Sequence, residues 1–155
     1  MSELELIQKL LVDTLTPLSQ QGVTVRPLPA DLKIGVSRTA MVYPFVAGFS
    51  DDVVVRDDSP LKPPTVGTRR YQAYIIVLGF ELVRPSGVLS LCESIIRLLN
   101  SCQLRLGSVD IGIKANSSEF TSAEAGLWQY RIPVDISRPL FYRGEDDIFI
   151  ANYEQ

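Results

Sequence analysis

The sequence predicts a single α+β domain in which a mainly antiparallel β-sheet carries two amphipathic helices. Leucine and isoleucine recur at helical spacing near the N-terminus and again from Val88 to Cys102. Alternating apolar and polar residues, clearest from Trp128 to Ser137, indicate a half-buried antiparallel strand. Neither an internal repeat nor a second composition regime interrupts the 155 residues, so we expect one domain over residues 1–155.

Both predicted helices have recognisable ends. The first begins with a capping box over residues 2–5 and ends or kinks near Thr16, because Pro17 lacks the amide hydrogen that a helix interior requires. The second has Ser86 as its expected N-cap and runs to about Gln103. Each helix carries one apolar stripe, and we expect both to pack on the sheet.

Several further segments are typical of β-strands. Residues 23–29 and 39–49 contain prolines and predict strands at an edge or beside a bulge. Residues 71–83 are apolar on both faces over their middle, which predicts a long central strand covered on two sides. Shorter strands are expected at residues 109–113 and near Phe120.

Two segments are candidates for contacts with other molecules. Residues 51–70 contain four aspartates and three prolines, and predict a long extended loop or arm. Residues 143–155 combine an acidic step with an apolar triplet, and such a terminus either adds to a sheet or docks on a neighbour. The interface candidates are Asp51, Asp52, Asp57, Asp58, Arg69, Arg70, Ile148, Phe149 and Ile150.

The residue types argue against catalysis. The chain has no histidine, the commonest general base and metal ligand, and no glycine-rich phosphate loop. We therefore expect no enzyme activity, no cofactor and no metal site. The acidic groups at residues 51–58 and 145–147 are interpreted as solvated loop residues, and a metal-dependent hydrolase built from them is the alternative. Cys92 and Cys102 are expected to be small buried residues of a reducing compartment.

The charge limits the possible partners. A net charge of -3 provides no positive field for tight binding of nucleic acid. Arg69, Arg70 and Tyr71 form a small basic and aromatic group that either touches DNA phosphates in passing or simply opens a strand. No apolar stretch reaches the ~20 residues of a membrane span, and the acidic N-terminus is unlike a signal peptide, so we expect a cytosolic origin and no membrane partner.

The order of these features resembles the small tail-terminator, or tail-completion, proteins of tailed bacteriophages, in particular the family of Mu-like phages and prophages. The resemblance runs from about Leu4 to Arg138. It rests on the element order and on two local phrases, residues 68–72 (Thr-Arg-Arg-Tyr-Gln) and residues 128–130 (Trp-Gln-Tyr).

This resemblance implies a hexameric ring that caps the tail tube, ends its polymerisation and joins the tail to the head. The implied partners are copies of the chain itself, the tail-tube protein, the sheath and a head-side neck or stopper protein, with DNA only passing through a central channel. The implied location is the tail or neck of the virion, assembled in the host cytoplasm.

Other structural roles fit the same features. The chain could be another neck or connector component, such as a head-closure protein, or the cap of a contractile injection system. A monomeric adaptor that binds a peptide along the edge of the Val23 or Thr39 strand is a further alternative. Trp128 and Tyr130 are interpreted as core residues or as interface anchors.

Overall fold

A computed structural model describes residues 2–28, 39–53, 65–83, 87–143 and 147–149. These residues form two α-helices, one 3-10 helix and eight β-strands, which confirms the predicted α+β class with a mainly antiparallel sheet. The elements are α1 (Glu3–Leu15), the 3-10 helix (Thr16–Gln21), β1 (Thr24–Val25), β2 (Met41–Val53), β3 (Thr65–Gly79), α2 (Val88–Ser101), β4 (Leu104–Leu106), β5 (Val109–Ala115), β6 (Glu119–Glu124), β7 (Leu127–Arg143) and β8 (Asp147–Phe149).

The ends of α1 follow the prediction. The Ser2 hydroxyl accepts a hydrogen bond from the Glu5 amide at 3.2 Å, and the Glu5 carboxylate accepts one from the Ser2 amide at 3.1 Å, which completes the capping box. The α-helix ends at Leu15, and the chain containing Pro17 continues as the 3-10 helix. Gly22 then turns the chain with a φ of 79°, a conformation that glycine adopts at little cost.

The N-terminus of α2 differs from the prediction. Gly87 occupies the N-cap position in place of Ser86, and no side chain caps the helix. The carbonyls of Glu81 and Leu82 accept hydrogen bonds from the amides of Val88 and Leu89 at 2.8 and 3.1 Å. Because the preceding turn already satisfies these first amides, the helix needs no side-chain cap. The helix ends at Ser101, two residues before the predicted end.

The sheet is organised around β7. The strand order is β1, β2, β3, β7, β5 and β4, and β6 and β8 also pair with β7. β7 pairs with β3 along one edge and with β6, β5 and β8 in succession along the other. Every pairing is antiparallel except the short one between β1 and β2. β2, β5, β6 and β8 therefore pair directly with β3 or β7, and β1 and β4 join the sheet through β2 and β5.

Both helices pack on the same face of the sheet. The buried core joins apolar residues of α1 and α2 to alternate residues of β3 and β7. Fully or almost fully buried members include Ile7, Leu11, Leu15, Tyr71, Ala73, Ile75, Val77, Leu91, Ile95, Leu99, Ile132, Val134 and Ile136. This arrangement confirms the inward face predicted for residues 132–136.

The opposite face, which we call the open face, is not covered by either described helix. The prediction that β3 is covered on two sides is therefore wrong, since Tyr74 and Ile76 remain partly exposed. A small cluster of Met41, Tyr43 and Leu78 buries only one end of this face. Tyr74 is shielded by neighbours within the sheet, with its ring centroid 5.6 Å from that of Phe45.

The predicted arm is shorter than expected. Residues 51–53 belong to β2 and residues 65–70 belong to β3, and the two strands pair as far as Val53 and Gly67. Residues 54–64 lie outside the described part of the chain. Asp51 pairs with Arg69, so the charges that gave these residues the composition of a loop lie opposite each other across two strands.

Candidate functional site

The structure separates the predicted interface residues into two strand-borne groups. Asp51 and Asp52 lie at the end of β2, and Arg69 and Arg70 lie near the start of β3. Near the C-terminus, β8 pairs with residues 141–143 of β7. Of the two predicted alternatives, addition to a sheet or docking on a neighbour, the described residues 147–149 follow the first. Asp57, Asp58 and Ile150 lie outside the described residues, and Ile148 and Phe149 belong to β8.

Asp51 and Arg69 form the best-defined contact of the first group. The guanidinium donates two hydrogen bonds to the carboxylate, from Nε to Oδ1 at 2.7 Å and from Nη2 to Oδ2 at 2.9 Å. The same guanidinium lies over the Phe49 ring, 4.6 Å from its centroid. These two hydrogen bonds hold both side chains in place, so the charge of each side chain is balanced by the other.

Glu3 extends this pair into the core. Its carboxylate accepts a hydrogen bond from Arg138 Nη1 at 2.8 Å and lies 3.5 Å from Arg69 Nη1. Arg138 is only 1% exposed, and the Glu3 side chain only 8%. Two acids and two bases from α1, β2, β3 and β7 thus form one network, which we call the Glu3–Arg138 network and define as Glu3, Asp51, Arg69 and Arg138.

Sequence reasoning missed the burial of Arg138. The alternation of β7 places it on the same face as Ile132, Val134 and Ile136, and that periodicity was the available signal. A charged residue at an inward position conflicts with the usual pattern, because a buried charge needs a partner. Its partner Glu3 is 135 residues away in sequence, so no local window contains both.

Two buried polar atoms in and beside this network make no hydrogen bond of good geometry with the described residues. They are the Tyr71 hydroxyl and Arg138 Nη2. Burial first, and then the neighbouring Glu3 carboxylate, raise the pKa of Tyr71 well above its ordinary value. The hydroxyl therefore stays protonated, and it contributes no negative charge to the network.

The Asp51–Arg69 pair predicts a pH dependence of stability. The hydrogen bonds from Arg69 hold the pKa of Asp51 below its ordinary value of 3.8. Because the folded-state pKa is lower than the unfolded-state pKa, the contribution is complete above the unfolded value. It is lost as the pH falls through the folded value. We expect Asp51→Asn to reduce the free energy of unfolding by about 1 kcal/mol or less at pH 7, since the pair is partly exposed.

The measurement is urea unfolding of wild type and Asp51→Asn at pH 7 and at successive pH values below 4. The two stability curves should converge as the carboxyl group becomes protonated. Asp110→Asn is a matched control, because its pair with Arg105 is far more exposed. A constant difference between wild type and Asp51→Asn down to the lowest pH would contradict the assignment.

The open face carries a shallow depression between β3, β5 and β7. Its volume is about 300 Å³, and Arg70, Lys114 and Asp135 are among its lining residues. Gly112 forms part of its wall, and a Cβ there would lie 2.8 Å from the Ser137 hydroxyl oxygen. Arg70 and Lys114 make no ion pair within the described ranges, in contrast to Arg69, so they offer positive charge at this surface.

A second exposed feature is an aromatic group on the helix side of β6 and β7. Phe120 is 57% exposed, and its ring meets those of Trp128 and Tyr130 edge-on at centroid distances of 6.2 and 5.8 Å. Trp128 and Tyr130 are partly buried and pack against the core. These two residues therefore belong to the core margin, and Phe120 extends their apolar surface outward.

The described residues contain no group of three Cys, Asp or Glu side chains that could hold a metal ion. Cys92 is buried and Cys102 is partly buried, and both are free thiols. Burial raises the pKa of Cys92 to about 11, so this thiol is unreactive at neutral pH. Neither described helix is both long and apolar enough to cross a membrane.

Comparison with known protein families and with curated protein sequences finds no match for this chain.

Proposed function

We propose that this chain is a structural subunit of a bacteriophage tail, a tail-terminator-like protein that assembles with copies of itself into a hexameric ring. The ring caps the tail tube, ends its polymerisation and joins it to the head-side neck proteins. DNA passes through the ring without specific binding. In this role the chain performs no catalysis and needs no cofactor, and its location is the virion.

The observation that carries the proposal is the one-sided packing of the sheet. Both described helices cover one face, and the open face presents Arg70 and Lys114 to its surroundings, with the partly exposed Tyr74 and Arg131 beside them. A subunit of an assembly needs uncovered surfaces of this kind, since aromatic and arginine side chains are enriched at protein interfaces. An acidic whole, with a net charge of -3, also favours passage of DNA over adhesion to it.

The order of elements supports the same proposal. The chain runs through α1, an edge strand, the β2–β3 hairpin, α2 and the long strand that begins at Leu127. This is the order on which the resemblance to tail terminators rests. The hairpin contributes two contact candidates, because Asp52 and Arg70 are exposed on the open face and Asp51 and Arg69 are engaged with each other.

Electron microscopy of the purified protein, alone and mixed with its tail-tube protein, tests the proposal. We expect six-fold rings, either free or at one end of tubes of limited length. Particles that remain separate and never contact the tubes would contradict it and would favour a monomeric adaptor. Rings of the expected symmetry that bind a different neck component would place the chain elsewhere in the connector.

A further inference from the structure

The strand registers connect the two ends of one row of residues across the sheet. Val25 in β1 pairs with Val42, which pairs with Val77, and that residue pairs in turn with Tyr130 and so with Phe120 in β6. β1 and β6 therefore lie at the same level, at opposite margins of the sheet. The next row is Thr24, Met41, Leu78, Gln129 and Ser122.

These two margins are complementary on both faces. Arg26 follows Val25 and is exposed, without an ion pair in the described part of the chain. Glu119 lies on the open face at the β6 margin, where its Oε2 accepts hydrogen bonds from Arg131 at 3.0 and 2.6 Å and its Oε1 has no hydrogen bond among the described residues. Arg26 lies near Tyr43, whose row across the sheet ends at Glu119. On the helix side, Phe120 is more than half exposed. One margin thus offers a cation, and the other offers the second oxygen of a carboxylate that Arg131 already holds in place, together with an exposed aromatic ring.

Other unpaired stretches of strand are already occupied by side chains. On β2, the Gln8 side-chain oxygen accepts a hydrogen bond from the Val46 amide at 3.3 Å. On β5, the Asn100 side chain binds both the carbonyl and the amide of Ala115, at 2.7 and 3.0 Å. Such contacts satisfy backbone groups that a further strand would use. Among the described residues, no side chain fills the outer margin of β1 or β6 in this way.

We propose that copies of this chain associate head to tail, with β1 of one copy pairing antiparallel to β6 of the next. This inference rests on the self-association in the proposed function and names the surfaces that produce it. The direction follows from the sheet, because β1 runs parallel to β2, and each step through β3, β7 and β6 reverses the strand.

In this arrangement Arg26 of one copy lies beside Glu119 of the next on the open face. Val25 covers Phe120 on the helix side. The contact joins two different surfaces, so a pair of copies still has one free β1 margin and one free β6 margin. Repetition then produces a closed ring where the rotation between copies closes. Val25 supplies the outward backbone groups of this two-residue strand, because Pro27 has no amide, and the side-chain contacts add to the pairing.

Disulfide trapping with two separate single variants tests the contact. Arg26→Cys and Glu119→Cys are each prepared in a Cys102→Ser background, in which the remaining Cys92 is buried and unreactive. We expect a disulfide-linked dimer when the two variants are mixed and oxidised, and none from either variant alone. A two-fold symmetric contact at either margin would instead link one variant to itself and would overturn the proposal.

The matched control replaces Arg26→Cys by Arg105→Cys, which places a thiol at another exposed arginine, on β4. Equal linking of this control to Glu119→Cys would show random collision and would overturn the contact. Rings without the mixed disulfide would overturn the contact and leave the ring function standing. The mixed disulfide in open chains would uphold the contact and contradict the ring. No self-association at all would overturn both.

A charge reversal gives a second, independent measurement. We expect Arg26→Glu to weaken self-association by roughly two- to tenfold in sedimentation experiments, because it sets like charges opposite each other across two strands. Arg105→Glu makes the same change in net charge away from the contact and should leave association unchanged. Equal weakening by both variants would indicate a general charge effect and would overturn the specific contact.

Discussion

Arg138→Met is expected to reduce the free energy of unfolding by about 3 kcal/mol, the largest effect of any charged residue in the described ranges. The substitution removes the cation that holds Glu3, whose carboxylate is almost as buried as Arg138 itself. Glu3 must then either stay in the core, with Arg69 as the neighbouring cation, or leave and undo the first turn of α1. Urea unfolding followed by circular dichroism gives the change in the midpoint.

Two controls separate the buried pair from a general loss of charge. Arg97→Met removes a cation from a pair with Glu93 whose side chains are 73% and 74% exposed, and should cost about 0.5 kcal/mol or less. Each single variant, Arg138→Met or Glu3→Gln, leaves one buried charge without its partner. The double variant leaves none, so it should cost less than the sum of the two single variants. An Arg138→Met variant as stable as Arg97→Met would refute the buried network.

Leu11→Ala is expected to cost about 2–5 kcal/mol, because it removes a fully buried side chain from the contact between α1 and the sheet. Leu11 belongs to the same core cluster as Val42 of β2 and Leu99 of α2, so the cavity lies in the core between the helices and the sheet. The neighbouring residue Leu10 is only partly buried, and Leu10→Ala is the matched control with a smaller expected loss.

Hydrogen exchange adds a readout that unfolding alone lacks. If α1 undocks before the sheet unfolds, its amides should lose protection in Leu11→Ala and those of β3 and β7 should keep theirs. Equal costs for Leu10→Ala and Leu11→Ala would mean that α1 does not bury the face assigned to it.

The periodicity of the chain predicted most of the fold. The capping box of α1, the central position of β3 and the inward face of β7 all depend on residues within a few positions of each other. The covering of β3 could not be predicted in the same way. Tyr74 and Ile76 look like core residues in sequence, and only the shared position of both helices leaves them facing outward.

The candidate site was harder to predict, because its contacts join distant parts of the chain. Asp51 and Arg69 lie at the two ends of a segment whose composition is typical of a loop, and their pairing appears only when the register of β2 and β3 is known. The link between Glu3 and Arg138 crosses almost the whole sequence. Composition identified the charged residues correctly but could not assign their partners.

The position of β7 in the chain has a consequence for biosynthesis. Among the described residues, β3 along one edge, and β6 and β8 altogether, pair with the strand that begins at Leu127. While the ribosome is still making the first four-fifths of the protein, β2 and β3 can form a hairpin, but the apolar edge of that hairpin has no neighbour. A nascent chain that is stalled or truncated before this strand would expose an unpaired, aggregation-prone strand edge. Products truncated before Leu127 should therefore aggregate more, and depend more on chaperones, than products that include β7.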